Sequence, residues 1–258
     1  MVIINNDDFG ASENLNYGIY LAFSKNLISS TTTLVNFEEG LKDAVTYINE
    51  GKIRPASVGL HLNLTAGKPL TNKMAANENF CENGSFKPNR NRNIFFLNQK
   101  DRKCVFDELE AQILKFKEVF GFNPSHLDSH HHIHTELAIL QCVIRLAKKY
   151  KLNSIRLSQN LGSPPNFIKR TYKKLVNNYL KFKKFKVVDK FGGISALNSS
   201  NFNGKLNYEI MVHVIHDTAD DSLKDEGIID LNEKLREVFQ GDKWQLSNYT
   251  DLAQTKSS

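Results

Sequence analysis

A chain of 258 residues that is 40% hydrophobic and 24% charged can bury a full core, which excludes the disordered and fibrous classes. No apolar run approaches the roughly 18–20 residues that cross a bilayer, and the N-terminus lacks the basic-then-apolar layout of a secretion signal. Cys81, Cys104 and Cys142 stand at irregular spacing and make neither a disulfide framework nor a CxxC metal motif, so a soluble, cytoplasmic protein is expected.

Val2 to Asn6 reads as a short apolar strand, with Asp7-Asp8-Phe9-Gly10 at its C-terminal end. Ser12 to Asn26 follows as a helix, capped by Ser12 and favoured in its first turn by Glu13. Thr31 to Asn36 has the Thr and Val content of a strand, and Leu41, Ala44, Val45 and Ile48 recur at helical spacing. Ser57 to Leu64 is a third strand and carries His61. Thr65 to Lys100, rich in Asn and holding the Asn83-Gly84 turn signal, reads as a long surface excursion of the kind that serves as a lid or substrate wall.

Asp101 to Phe120 resumes as a helix, and the histidine-rich stretch 126–134 is the fourth strand. A helix over Glu136 to Tyr150 leads to a strand at Ser154 to Leu157 that holds Arg156. Pro164-Pro165 opens a basic helix, Val187 to Phe191 and Tyr208 to Val214 are strands, and Leu231 to Phe239 is a terminal helix. The polar tail from Thr250 is expected to fray. In the basic helix, Ile168, Tyr172, Leu175, Tyr179 and Leu180 recur at helical spacing and are expected to form a buried stripe, with the lysines of 169–186 solvated. A single-strand nucleic-acid groove is the less favoured reading of that segment, though the patch could attract an anionic or phosphorylated substrate.

About seven strands alternating with helices, without a separating linker, imply one α/β domain over 1–258: a distorted, TIM-like (β/α) barrel of parallel strands. The reacting groups of such a barrel lie at strand C-termini, where Asp7, Asp8, His61, His130, Arg156 and His213 fall. Residues 126–134 hold five of the eight histidines. On a strand, His126, Asp128 and His130 share a face, and imidazoles with carboxylates are divalent-metal ligands. One Asp with two His would leave positions open for water and substrate, which is hydrolytic chemistry, with His213 the candidate to protonate a leaving group. Each feature alone has a plainer reading: a helix-entry turn for Asp-Asp, a satisfied core histidine for His61, a surface loop for the cluster.

Taken together, INNDDFGASENLNYGI at 4–19, SSTTTLVN at 29–36, VGLHLNLTAGKPL at 58–70, PSHLDSHHHIH at 124–134 and EIMVH at 209–213 resemble the YdjC-like carbohydrate deacetylases, close in pattern to chitooligosaccharide deacetylases. The resemblance implies a TIM-like barrel, commonly homodimeric, that removes the N-acetyl group of diacetylchitobiose or its 6-phosphate in chitin degradation. It matches His61 and His130 to metal histidines, Asp8 to a third ligand and Asp7 to the general base. Mg²⁺ is the implied metal, although two imidazoles would suit Zn²⁺ equally. Arg156, Lys68 and Asp128 are the candidates for contact with the sugar or its phosphate. One departure is local: relatives usually continue His-Pro, whereas His213 here precedes Val214-Ile215-His216-Asp217. The alternatives are a metal-dependent hydrolase or isomerase of another small sugar or sugar phosphate, and a non-catalytic metal- or sugar-binding barrel. Neither nucleic acid nor membrane is an expected partner.

Overall fold

The computed structural model describes residues 1–90, 95–162, 166–197, 202–239 and 245–254. Strand β1 (Val2–Phe9) lies at the centre, and its apolar residues Val2, Ile3 and Ile4 are fully buried. Helix α1 (Glu13–Ser24) leads to β2 (Ser30–Thr33), and α2 (Glu38–Asn49) to β3 (Val58–Leu62). Ser12 caps α1 by accepting from the Leu15 N–H, as expected for a Ser at this position. This βαβαβ run makes β1, β2 and β3 parallel neighbours.

The excursion carries structure of its own. A single turn, α3 (Asn72–Ala75), and the hairpin of β4 (Cys81–Glu82) and β5 (Ser85–Phe86) bury Met74, Phe80 and Phe86 in the common core. Helix α4 (Gln99–Phe120) fastens it: the buried Glu108 carboxylate accepts from Leu70 N and Thr71 N, both at 2.9 Å. A buried carboxylate must be hydrogen-bonded, and here those bonds tie the excursion down instead of leaving it a loose wall.

Strand β6 (Leu127–Ser129) is shorter than the histidine stretch suggested, because His130–Thr135 turns into a 3₁₀ segment with His131 and His132 at positive φ. Helices α5 (Leu137–Lys149) and α6 (Phe167–Phe182) follow, then β7 (Lys190–Gly193) and β8 (Tyr208–Val212). The expected helix start at Pro164-Pro165 lies outside the described residues. A three-stranded antiparallel sheet of β9 (Val214–Asp217), β10 (Ser222–Asp225) and β11 (Ile229–Asp230), absent from the sequence reading, precedes α7 (Leu231–Val238). The tail does not simply fray: α8 (Tyr249–Gln254) buries Tyr249 and Leu252.

Six parallel strands curl in the order β6-β3-β2-β1-β8-β7. Isolated bridges join the two edges. Leu127 pairs with Ile155 and Ser154 with Lys186, all parallel, and Lys186 lies a few residues before β7. The chain around Ser154–Ile155 thus fills the seventh place, and the fold is the distorted barrel the alternation implied. Helix α6 meets the expected stripe only in part: Leu180 is buried and Tyr172 and Tyr179 pack against the core, whereas Ile168 and Leu175 are 78% and 62% exposed and Val176 and Asn177 are buried in their stead. The apolar residues of this helix occupy two faces, and periodicity alone cannot say which one packs.

The loop after β1 is clamped. The Asn16 side chain accepts from Gly10 N at 2.7 Å and donates to Gly40 O at 2.8 Å. A Cβ on Gly40 would sit 2.4 Å from Gly10 O and 2.7 Å from Ala11 C, both backbone atoms. Gly40→Ala should therefore lower the unfolding free energy by about 1–3 kcal/mol through overpacking, despite the better helix propensity of Ala. Urea denaturation of the two proteins measures it, and an unchanged or raised midpoint would contradict this packing.

Candidate active site

In a regular strand Asp7 and Asp8 would point to opposite faces. A bulge prevents this. Asn6 pairs with Thr31 and Phe9 with Thr33, so three steps of β1 oppose two of β2. Asp8 absorbs the extra residue at φ 69°, a left-handed conformation that Asp tolerates better than most side chains. Both carboxylates consequently reach the same group: His61 Nε2 lies 3.2 Å from Asp8 Oδ1 and 4.0 Å from Asp7 Oδ2.

Beneath them the barrel interior is filled by a charge cluster around Arg156. The guanidinium forks onto Asp7, NH1 to Oδ2 and NH2 to Oδ1, each at 2.7 Å. NH1 also meets Asp128 Oδ2 at 2.6 Å, and Nε donates to Glu209 Oε1 at 2.7 Å. The ring of Phe191 covers one guanidinium face at 4.8 Å. Arg156 is fully buried, its guanidinium hydrogen-bonded to three carboxylates, and the fork holds Asp7 in place. Asp128 is likewise fully buried. It accepts from His61 Nδ1 at 2.8 Å and from Thr32 Oγ1 at 3.0 Å, which orients the imidazole. Lys68 is exposed, its carbonyl accepting from Asn36. No contact brings its ammonium into the cluster.

Protonation follows from the same contacts. Burial raises the Asp7 carboxyl, but Arg156 and then His61 outweigh it and hold Asp7 well below the usual carboxylate range. Asp8 is also raised by burial and is held far lower by hydrogen bonds with His130 and His61. Burial depresses His61, yet Asp128 and Asp7 reverse this and raise its pKa to about 10. Glu209 is pushed by burial up to about 7 against the pull of Arg156.

Among the described residues, two three-residue groups could hold a metal: Asp8 with His61 and His130, and Asp7 with His61 and Asp128. In the second, both Asp7 oxygens and one of Asp128 already accept from Arg156, and all three residues are buried. The first fits better. His130 Nδ1 is 3.0 Å from Asp8 Oδ1, and the side chains of His130 and Asp8 are 20% and 19% exposed, so the group has an open side. With Nδ1–H of His61 donating to Asp128, it is Nε2 that faces Asp8, and its lone pair would become available to a metal that displaces its proton, the carboxylate–histidine arrangement that fixes metal-binding imidazoles. One carboxylate and two imidazoles suit a divalent ion such as Zn²⁺ or Mg²⁺.

His213, between β8 and β9, presents Nε2 at 4.0 Å from Asp7 Oδ2. With His132 and Met211 it lines a cavity of about 230 Å³ at this mouth. His126 and His134 are built into the scaffold. His126 stacks on Tyr249 with ring centroids 3.8 Å apart, and His134 joins Ser129 Oγ at 2.6 Å to the Arg156 carbonyl at 3.2 Å. Sequence reasoning missed Glu209 and Tyr249, whose hydroxyl donates to the second Glu209 oxygen. The available signal was a glutamate inside an otherwise apolar central strand, which requires a buried cation.

Arg156→Met should cost about 3–5 kcal/mol in denaturant unfolding, because three buried carboxylates lose their cation; a loss below 1 kcal/mol would contradict this role. The raised His61 pKa has a defined sign. In chelated protein its contribution is complete below about pH 6.5, where the unfolded group also binds the proton, and is lost as pH rises toward about 10. Denaturation midpoints between these pH values should fall, and His61→Asn should flatten that slope.

The model of the YdjC-like protein family matches residues 1–245. A protein named carbohydrate deacetylase from Halalkalibacterium halodurans is 36% identical over 168 residues, 65% of this chain and 67% of that protein. A crystal structure from Enterococcus faecalis V583, named as a candidate cellobiose-phosphate cleavage protein, superposes with a TM-score of 0.68 at 21% identity, covering 97% of this chain and 98% of that one. It bears on the fold alone. With the family match spanning nearly all of the chain, and the Asp7-Asp8, His61 and 126–134 motifs gathered at one barrel mouth, this protein belongs to the YdjC-like family.

Proposed function

We propose that the chain is a metal-dependent carbohydrate deacetylase that hydrolyses the N-acetyl group of a chitooligosaccharide, diacetylchitobiose or its 6-phosphate, to acetate and a free amine. The observation that carries this reading is the convergence of Asp7, Asp8, His61, His130 and His213 at one end of the barrel. The deacetylase name of the relative from Halalkalibacterium halodurans supports the reaction class.

Asp8, His61 and His130 would hold the divalent ion, Mg²⁺ by resemblance and Zn²⁺ by ligand chemistry. When bound, such an ion supplies Lewis-acid activation of the acetamide and of water. Asp7 is the general base. Arg156 keeps it ionised and fixes its plane, while Oδ2, 4.0 Å from both His61 Nε2 and His213 Nε2, faces the space where an attacking water would lie; an oxygen that accepts one hydrogen bond keeps a second lone pair. As the C–N bond breaks, His213 supplies the proton that the departing amine takes up. The cavity beside His213 and His132 would receive the sugar next to the scissile amide.

Acetate release from diacetylchitobiose and its 6-phosphate should vanish on chelation and return when a single metal, Mg²⁺ or Zn²⁺, is restored. Asp7→Asn and His213→Asn should each lower kcat by roughly 10²–10⁴-fold, the usual weight of a general acid or base, with metal content unchanged. Full activity in chelator would remove the metal from the mechanism, and full activity of Asp7→Asn would remove the base.

A further inference from the structure

A second cavity, of about 410 Å³, lies beside the barrel mouth and takes no part in the chemistry above. Its volume falls in the range of about 300–1,000 Å³ typical of ligand pockets. Arg170, Lys173, Lys174 and Lys181 project into it from one flank of α6, and Lys190 joins them from β7. Among the described residues that line it there is no carboxylate. This is a local property of the sequence. From Asn166 to Val188 the chain has eight Lys and Arg and no Asp or Glu, more positive charge than the formal +6 of the whole protein.

Solvated lysines ordinarily spread out or alternate with acids, because converging like charges repel. Here five cations share one concavity, and the burial of Lys173, together with the neighbouring charge of Lys169, lowers its pKa. The only side-chain acceptor found for Lys173 Nζ among the described lining residues is neutral, Gln159 Oε1 at 3.4 Å. Gln159 also lines the cavity that holds His132 and His213, so the two spaces adjoin. An anion carrying several charges would relieve the repulsion, and guanidinium with ammonium groups is the donor set that phosphate oxygens accept.

We infer that this cleft is a binding site for a phosphate-class polyanion, separate from the Asp8–His61–His130 group and adjoining the cavity lined by His132 and His213. The phosphate either belongs to the far end of a substrate seated at the mouth or is carried by a separate ligand.

Titration of the full-length protein with inorganic pyrophosphate tests this by calorimetry, with no reliance on turnover, so it holds whether or not the chain deacetylates. Binding should be saturable and should weaken at least tenfold in Lys174→Gln/Lys181→Gln. Lys148→Gln/Lys151→Gln, which removes the same charge from an exposed region outside the cleft, should change it less than twofold. No saturable heat at millimolar pyrophosphate, or equal weakening in both double variants, would overturn the site. Competition then names the source. If pyrophosphate competes with a phosphorylated acetyl-sugar, and Lys174→Gln/Lys181→Gln lowers kcat/KM for that sugar but not for its unphosphorylated form, the phosphate is the substrate's own. Binding without competition identifies a separate ligand.

Discussion

The structure depends on the buried guanidinium of Arg156. Arg156 sits inside the barrel with Asp7, Asp128 and Glu209 around it, and removing so many charges from water is tolerable only when each is paired and hydrogen-bonded. Most barrels of this kind fill their centre with layers of branched aliphatic residues. This one gives part of that space to a polar column, running from Tyr249 through Glu209 and Arg156 to Asp7, and then toward His61 and Asp8. The strands must hold a common register for these groups to meet, so the fold and the site have the same requirement.

That column explains the unequal roles of chemically similar residues. Asp7 and Asp8 are neighbours in sequence, yet one accepts a fork from Arg156 while the other meets two imidazoles. Among the histidines, position relative to the column separates His61 and His130, which face the open group, from His126 and His134, which are buried against Tyr249 and the Arg156 carbonyl. The departure at Val214 belongs to the same region. Its N–H donates to Asn6 Oδ1 at 2.7 Å, and the Asn6 amide donates to the Asp7 carbonyl. A proline could not supply the first of these bonds, so the valine ties the last barrel strand to the residue before Asp7.

Alternation of strands and helices was legible in the sequence because hydrophobic period is a local property, and the residues gathered at the mouth were legible because strand ends could be located. The buried partners of Arg156 and Asp128 were not. A charged residue at a strand end reads the same whether it faces solvent or the barrel axis, and only the register of distant strands decides. The bulge at Asp8 has no signature beyond the Asp-Asp pair itself. The packing face of α6 was illegible for another reason: apolar residues lie on both sides of it, and the choice of Val176 and Leu180 over Ile168 and Leu175 depends on what the helix docks against. The β9–β11 sheet escaped because its strands are two to four residues long.

The backbone at Asp8 also restricts how this site can vary. Its left-handed geometry is cheap for glycine and tolerable for asparagine or aspartate, and costly for most others. Of those three residue types, only aspartate brings a negative oxygen to His61 and His130. A glutamate there would keep the charge but meet the backbone penalty, and a histidine would trade charge for a ring. Conformation and charge together thus favour aspartate at position 8, where the backbone turn and the two neighbouring imidazoles make separate demands.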